Sequence, residues 1–168
     1  MSGKRIAVIG LGAMGMGTAR ALLDAGFAVT GCDLNPESLK TVASAGGQIA
    51  DTPAQASAGA SIVLLVVVNA EQVEQVLFGV DGVIGPERAD ADCLNRLGAA
   101  PVILQNATVP PAFAQALPEQ LPADLAVLDA PISGGAVKAR AGELSVMAPG
   151  TREALHRAQP AWDAMAAP

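Results

Sequence analysis

Short aliphatic runs recur along the chain, separated by glycines and by stretches with helical spacing. Residues 5–9, RIAVI, run into Gly10 and predict a buried strand, and residues 14–25 carry helix formers that stop at Gly26. FAVTGCD (27–33) predicts a second strand. NPESLKTVASAG (35–46) predicts a helix with Asn35 as its N-cap, Pro36 at the first helical position and Gly46 just past its end. The rhythm continues through a short strand at 48–50, a helix from Thr52, the strand SIVLLVVV (61–68) and a helix over 70–79. PVILQNA (101–107) and LAVLDAP (125–131) predict further strands, with a helix over 110–121 between them despite Pro118. ELSVMAPG (143–150) predicts a last strand, and 151–166 a helix that Pro160 kinks or shortens. Residues 81–100 are polar and irregular and predict a loop with no more than one helical turn.

Strands that are apolar almost throughout, without polar alternation, belong to a sheet covered on both faces, as parallel sheets are. The class is therefore α/β, doubly wound, with a mainly parallel sheet and helices on both faces. With no internal repeat and no low-complexity linker, residues 1–168 are expected to form one domain. Composition narrows the function. Ile62 to Val68, the longest aliphatic run, is far shorter than the roughly 20 residues of a membrane-spanning helix, so a soluble protein with no membrane partner is expected. A net charge of −6, no Tyr, one Trp and no basic cluster speak against nucleic acid as a partner. Cys32 and Cys93 suit a reducing cytoplasm, and neither has neighbours that suggest a metal site. Lys4 and Arg5 before an apolar stretch resemble a secretory signal, but four regularly spaced glycines within that stretch argue against one.

Candidate chemistry begins with those glycines. GLGAMG places Gly10, Gly12 and Gly15 in the spacing G-x-G-x-x-G between a predicted strand and a predicted helix. The first allows a tight turn, the second lets a pyrophosphate approach the backbone, and the third lets helix and strand pack closely. Leu11, Ala13 and Met14 lie in the same turn and complete the expected cofactor contacts. The phosphates would face the free N–H groups at the positive end of the helix. Asp33 closes the second strand, where a carboxylate accepts hydrogen bonds from the adenosine ribose. That carboxylate repels a 2′-phosphate, and Leu34, Asn35 and Pro36 offer no compensating cation. A Rossmann-type sheet binding NAD in preference to NADP is expected.

IAVIGLGAMGMGTARALLDAGFAVTGCDLNPE resembles the opening of the β-hydroxyacid dehydrogenases, the group of 3-hydroxyisobutyrate dehydrogenase, tartronate semialdehyde reductase and L-threonate dehydrogenase. DAPISGGAVKARAGELSVMAPG (129–150) resembles that family's substrate-binding stretch, so the resemblance spans essentially the whole chain. It implies hydride transfer between NAD and a short 3-hydroxy acid. It also implies that Ser133, Gly134 and Gly135 contact the substrate carboxylate and hydroxyl, with Thr108 beside nicotinamide and substrate. Where the family has two adjacent hydroxyls, this chain has Ala107 and then Thr108. Val67 and Val68 stand where the family's Leu-Pro lines the cofactor, and Leu34 follows the ribose acid. CDLNPE and DAPISGGAVKA lean toward the threonate branch. Without the resemblance, residues 133–135 read more readily as a reverse turn.

The proton-accepting lysine that the resemblance implies falls beyond Pro168, as does the family's helical domain. No catalytic residue is therefore expected in this chain, which should be inactive alone. Leu155, Trp162 and Met165 would then lack a partner surface and favour a homo-oligomer. His156, Lys138 and Arg140 read as ordinary surface charge. Two other readings stay open, a non-catalytic NAD-binding or interaction module and a 6-phosphogluconate dehydrogenase-like domain that prefers NADP.

Overall fold

In the computed structural model, which describes residues 4–88, 91–98 and 101–167, the aliphatic runs become one parallel sheet. Its strands are β1 (Arg5–Ile9), β2 (Ala28–Cys32), β3 (Gln48–Ile49), β4 (Ile62–Leu65), β5 (Val102–Gln105) and β6 (Ala126–Asp129), in the order β3-β2-β1-β4-β5-β6. Side chains alternate across a strand, so each apolar run feeds two cores. Ile6, Val8, Leu64 and Leu104 are buried in one, and Ala7, Ile9, Val63 and Ile103 in the other. Helices α1 (Ala13–Asp24), α2 (Pro36–Ser44), α7 (Gly135–Ala141) and α8 (Arg152–Met165) contribute to the first core. Helices α3 (Pro53–Ser57), α4 (Ala70–Phe78) and α5 (Ala91–Leu97) contribute to the second, and the short α6 (Pro111–Ala116) adds the half-buried Phe113.

Strand order reverses between β1 and β4, where chain connections leave to opposite sides and open a crevice at the carboxyl ends of the strands. Local signals behave as read. Asn35 Oδ1 accepts from Glu37 N–H at 3.0 Å, Pro36 opens α2, and Thr52 and Thr151 cap α3 and α8.

Several expectations need correction. Residues 91–97 form the two-turn helix α5, where a loop was expected, because Cys93 and Leu97, four apart, are both buried in the second core. The helix expected over 110–121 breaks at Pro118 into α6 and a 3-10 turn, Pro118–Gln120. The strand expected over 143–150 shrinks to β8 (Ser145–Val146). It leaves the main sheet and pairs antiparallel with β7 (Ile132–Ser133). Pro160 does not shorten α8, which runs for 14 residues. The carbonyl that loses its bond is that of His156, an exposed residue where solvent can replace the missing N–H. Met165 is fully buried, and Leu155 and Trp162 pack half-buried against the first core. The apolar face of α8 is thus covered by β5, β6 and α1, which removes the expected basis for self-association. No helix among the described residues is long and apolar enough to cross a membrane.

Candidate functional site

The glycine turn is shaped by three different spatial demands. Gly10 has φ +92°, and a Cβ there would stand 2.3 Å from the Val66 carbonyl oxygen. A Cβ on Gly15 would lie 1.9 Å from the Gly10 carbonyl oxygen, so helix and strand meet through bare backbone. At Gly12 a Cβ would meet nothing within 4 Å. The turn is therefore closed toward the protein and open toward the crevice, a cradle that a phosphate can enter. Gly12 caps α1 without a side-chain hydrogen bond and no acid occupies the first turn, leaving the helix amides for an anion.

Asp33, immediately after β2, braces this turn. Its Oδ2 accepts from Leu11 N–H at 2.5 Å and its Oδ1 from Asn35 N–H at 2.7 Å. Each carboxylate oxygen has a second lone pair for a ribose hydroxyl. Beside it opens a cavity of about 520 Å³ whose lining includes Gly10, Gly12, Asp33, Leu34, Val67 and Val68. Leu34 is wholly exposed and Val68 and Val80 are largely so, giving apolar walls with nothing of the protein against them. Gln72 Oε1 accepts from Val68 N–H at 2.9 Å and sets the end of the β4 loop. Cys32 lines the same cavity, and burial, with Asp33 and Asp51 nearby, pushes its thiol up to about 11. It stays protonated, and neither cysteine forms a disulfide.

The remaining expected residues have other roles or places. Leu11 keeps its side chain in the core and offers its N–H to Asp33, while Met14 packs half-buried on the first core. Ala13 lines a second, smaller cavity of about 260 Å³ between α1, α2 and α7. Thr108 and residues 133–135 lie outside the large cavity, at the exits of the adjacent strands β5 and β6. Thr108 and Ser133 are exposed, and Gly134 (φ +139°) and Gly135 (φ +76°) turn the chain into α7. Gly134 caps α7 with no side-chain bond, so its first amides are uncovered, like those of α1. Arg140 is bound to Asp24 at 2.7 Å and is not a free cation for a substrate.

Sequence reasoning missed several residues that shape the region. Gly17, one turn beyond the glycine motif, brings α1 against α7, since a Cβ there would lie 2.7 Å from Ala139 Cβ and 2.8 Å from Arg140 N. A glycine inside a helix costs about 1 kcal/mol relative to alanine, which was the available signal for such a contact. Asp51 and Asp81 add two carboxylates to the lining of the large cavity, and only the fold brings them beside Asp33. Gln105, Asn106 and Asp129 form polar bonds across the ends of β5 and β6, and burial pushes the Asp129 carboxyl up.

The model of the NAD binding domain of 6-phosphogluconate dehydrogenase matches residues 5–168. L-threonate dehydrogenase of Cupriavidus necator is 44% identical over 157 residues, 93% of this chain and 50% of that protein. The 3-hydroxyisobutyrate dehydrogenase of Pseudomonas aeruginosa is 35% identical over 161 residues, 95% of this chain and 51% of that protein. The chain spans about half the length of the curated relatives it matches. Among solved structures, 3-hydroxyisobutyrate dehydrogenase from Salmonella typhimurium superposes with a TM-score of 0.85 at 36% identity, covering 97% of this chain and 54% of that one.

Proposed function

The chain belongs to the family of the NAD binding domain of 6-phosphogluconate dehydrogenase, and from that premise we propose that it carries NAD for a dehydrogenase of short hydroxy acids. L-threonate and 3-hydroxyisobutyrate, the substrates named by its relatives, define the class. One observation carries this reading most directly. The Asp33 carboxylate, held by two backbone N–H groups, stands beside an open glycine cradle at the mouth of an apolar-walled cavity.

NAD, when bound, accepts the hydride from the acid or returns it. This chain's own residues bind and orient. Gly12 and the bare amides of α1 receive the pyrophosphate, Asp33 takes the adenosine ribose, and Leu34, Val67 and Val68 exclude water from the base and the linking sugar. Residues 133–135 offer a hydroxyl and uncovered amides to the substrate carboxylate, with Thr108 at the neighbouring strand exit. We assign no proton acceptor to any residue of the chain. The unbridged thiols suit a cytoplasmic compartment.

A 6-phosphogluconate dehydrogenase-like preference for NADP is disfavoured by the carboxylates around the cavity. A 2′-phosphate would face Asp33, Asp51 and Asp81, with no Lys or Arg among the described residues of the lining. Calorimetric titration is expected to give NAD an affinity at least about tenfold above that of NADP, a difference of about 1.4 kcal/mol. Equal or tighter binding of NADP would refute the assignment.

A further inference from the structure

Gln105 ends β5 and Asn106 follows it, both inside the protein, Gln105 fully buried and Asn106 5% exposed. With a core on each side of the sheet, apolar residues would fill these positions as well. Buried amides are kept where they are bonded, and here two bonds run to the end of β6 and one to the start of the Thr108 turn. Gln105 Nε2 donates across the ladder to Asp129 Oδ1 at 3.0 Å, while its Oε1 accepts from Ala107 N–H at 2.5 Å. Asn106 Nδ2 donates to the Ala130 carbonyl at 2.6 Å. That bond fixes which way the amide faces and leaves Asn106 Oδ1 buried with no donor among the described residues. A residue selected for its own stability would not leave such an acceptor unmet. Ala107 adjoins Thr108, and Ala130 leads through Pro131 and Ile132 to Ser133. Both side chains thus reach from the exit of β5 to the exit of β6, between the two turns that carry the expected hydroxyls.

We infer that Gln105, Asn106 and Asp129 are positioning residues that lock the Thr108 turn and the Ser133 turn into one unit. The identity of the ligand meeting those turns rests on the function proposed above, whereas the lock is a property of this chain alone. Its mechanism is specific. Ala107 N–H is held by a side chain instead of by a strand, so the Thr108 turn follows Gln105, and Gln105 follows Asp129.

Amide hydrogen exchange of the 168-residue chain tests the lock. Gln105→Met keeps the bulk and removes both polar bonds. It is expected to speed exchange at Ala107 about tenfold and, with it, exchange at Ala130 and Met147, whose N–H groups are bonded to the Gln105 and Pro131 carbonyls, while Val63 and Leu64 in β4 keep their rates. Asp129→Leu should reproduce this pattern, and Asp129→Asn, which retains an acceptor oxygen, should leave wild-type rates. This pair carries the comparison if Gln105→Met does not fold. Acceleration confined to residue 107 would overturn the lock by making Gln105 a local cap, and equal acceleration through β4 would overturn it by making the network a general stabiliser. Titration with NAD and then L-threonate separates the two claims. Amides at 108 and 133–135 should shift together, and silence toward L-threonate with exchange still coupled would defeat the substrate reading and leave the lock standing.

Discussion

At Gly12 and Gly15 the same added methyl group has opposite expected consequences. Gly15→Ala would drive a Cβ into the Gly10 carbonyl oxygen, 1.9 Å away, and backbone on both sides leaves little room to yield. A loss of about 3 kcal/mol is expected in denaturant unfolding, at the upper end for overpacking. Gly12→Ala meets no neighbour, so stability should hold while NAD affinity falls about tenfold in calorimetry, because the methyl occupies the phosphate's approach. Cys32 supplies a pH dependence. Its thiol titrates near 11 when folded and near 9.0 as the ordinary value, so between those limits the unfolded chain loses its proton first. The folded state then binds more protons, and stability must fall as pH rises through that window. Thermal unfolding should show a steeper drop from pH 9 to 11 in the wild type than in Cys32→Ala; parallel curves would contradict the burial of the thiol.

Among elements, the contact between α1 and α7 joins the cofactor turn to the turn at residues 133–135. Gly17→Ala should lower stability by about 2 kcal/mol, with partial recovery in Gly17→Ala/Ala139→Gly, because the Arg140 amide still crowds the new methyl when the Ala139 Cβ is gone. Full additivity in chemical denaturation would show that the helices do not meet there. The comparison of sequence with structure has the same physical basis. Strands β1, β2, β4 and β5 were legible because each is a run buried on both sides, β6 because its apolar run packs half-buried between the two cores, and α2 because Asn35, Pro36 and Gly46 mark its ends. Helix α5 was hidden because it is short and lies in a polar stretch, and its buried positions, Cys93 and Leu97, become apolar signals only against Val83 and Ile84. β8 was overread because a run such as SVM does not disclose that its partner is β7 instead of the sheet. In the site, Gly10, Gly12, Gly15 and Asp33 were readable from spacing. Asp51 and Asp81 were not, since proximity across the fold leaves no local pattern, and at Gly17 a glycine inside a helix marks a close approach without naming its partner.

For the whole molecule, a chain of net charge −6 is expected to bind an anionic cofactor, and local field must outweigh the global one. In the proposed reading the bare N-terminus of α1 provides it at the pyrophosphate, while Asp33, Asp51 and Asp81 concentrate negative charge around the rest of the cavity. The double substitution Asp51→Asn/Asp81→Asn should therefore narrow the NAD-over-NADP gap by about threefold to tenfold and change NAD affinity little. An unchanged ratio in parallel titrations would show that the two acids play no part in discrimination.

Asp33 holds Leu11 and Asn35 by their backbone, and in the proposed reading it also takes the ribose. Its two duties cannot be separated by mutation, so a change of coenzyme made at this residue carries a penalty in the glycine turn. Any lineage drifting toward a phosphorylated coenzyme would find the easier path at Leu34, which touches nothing and can acquire a cation without loosening the scaffold.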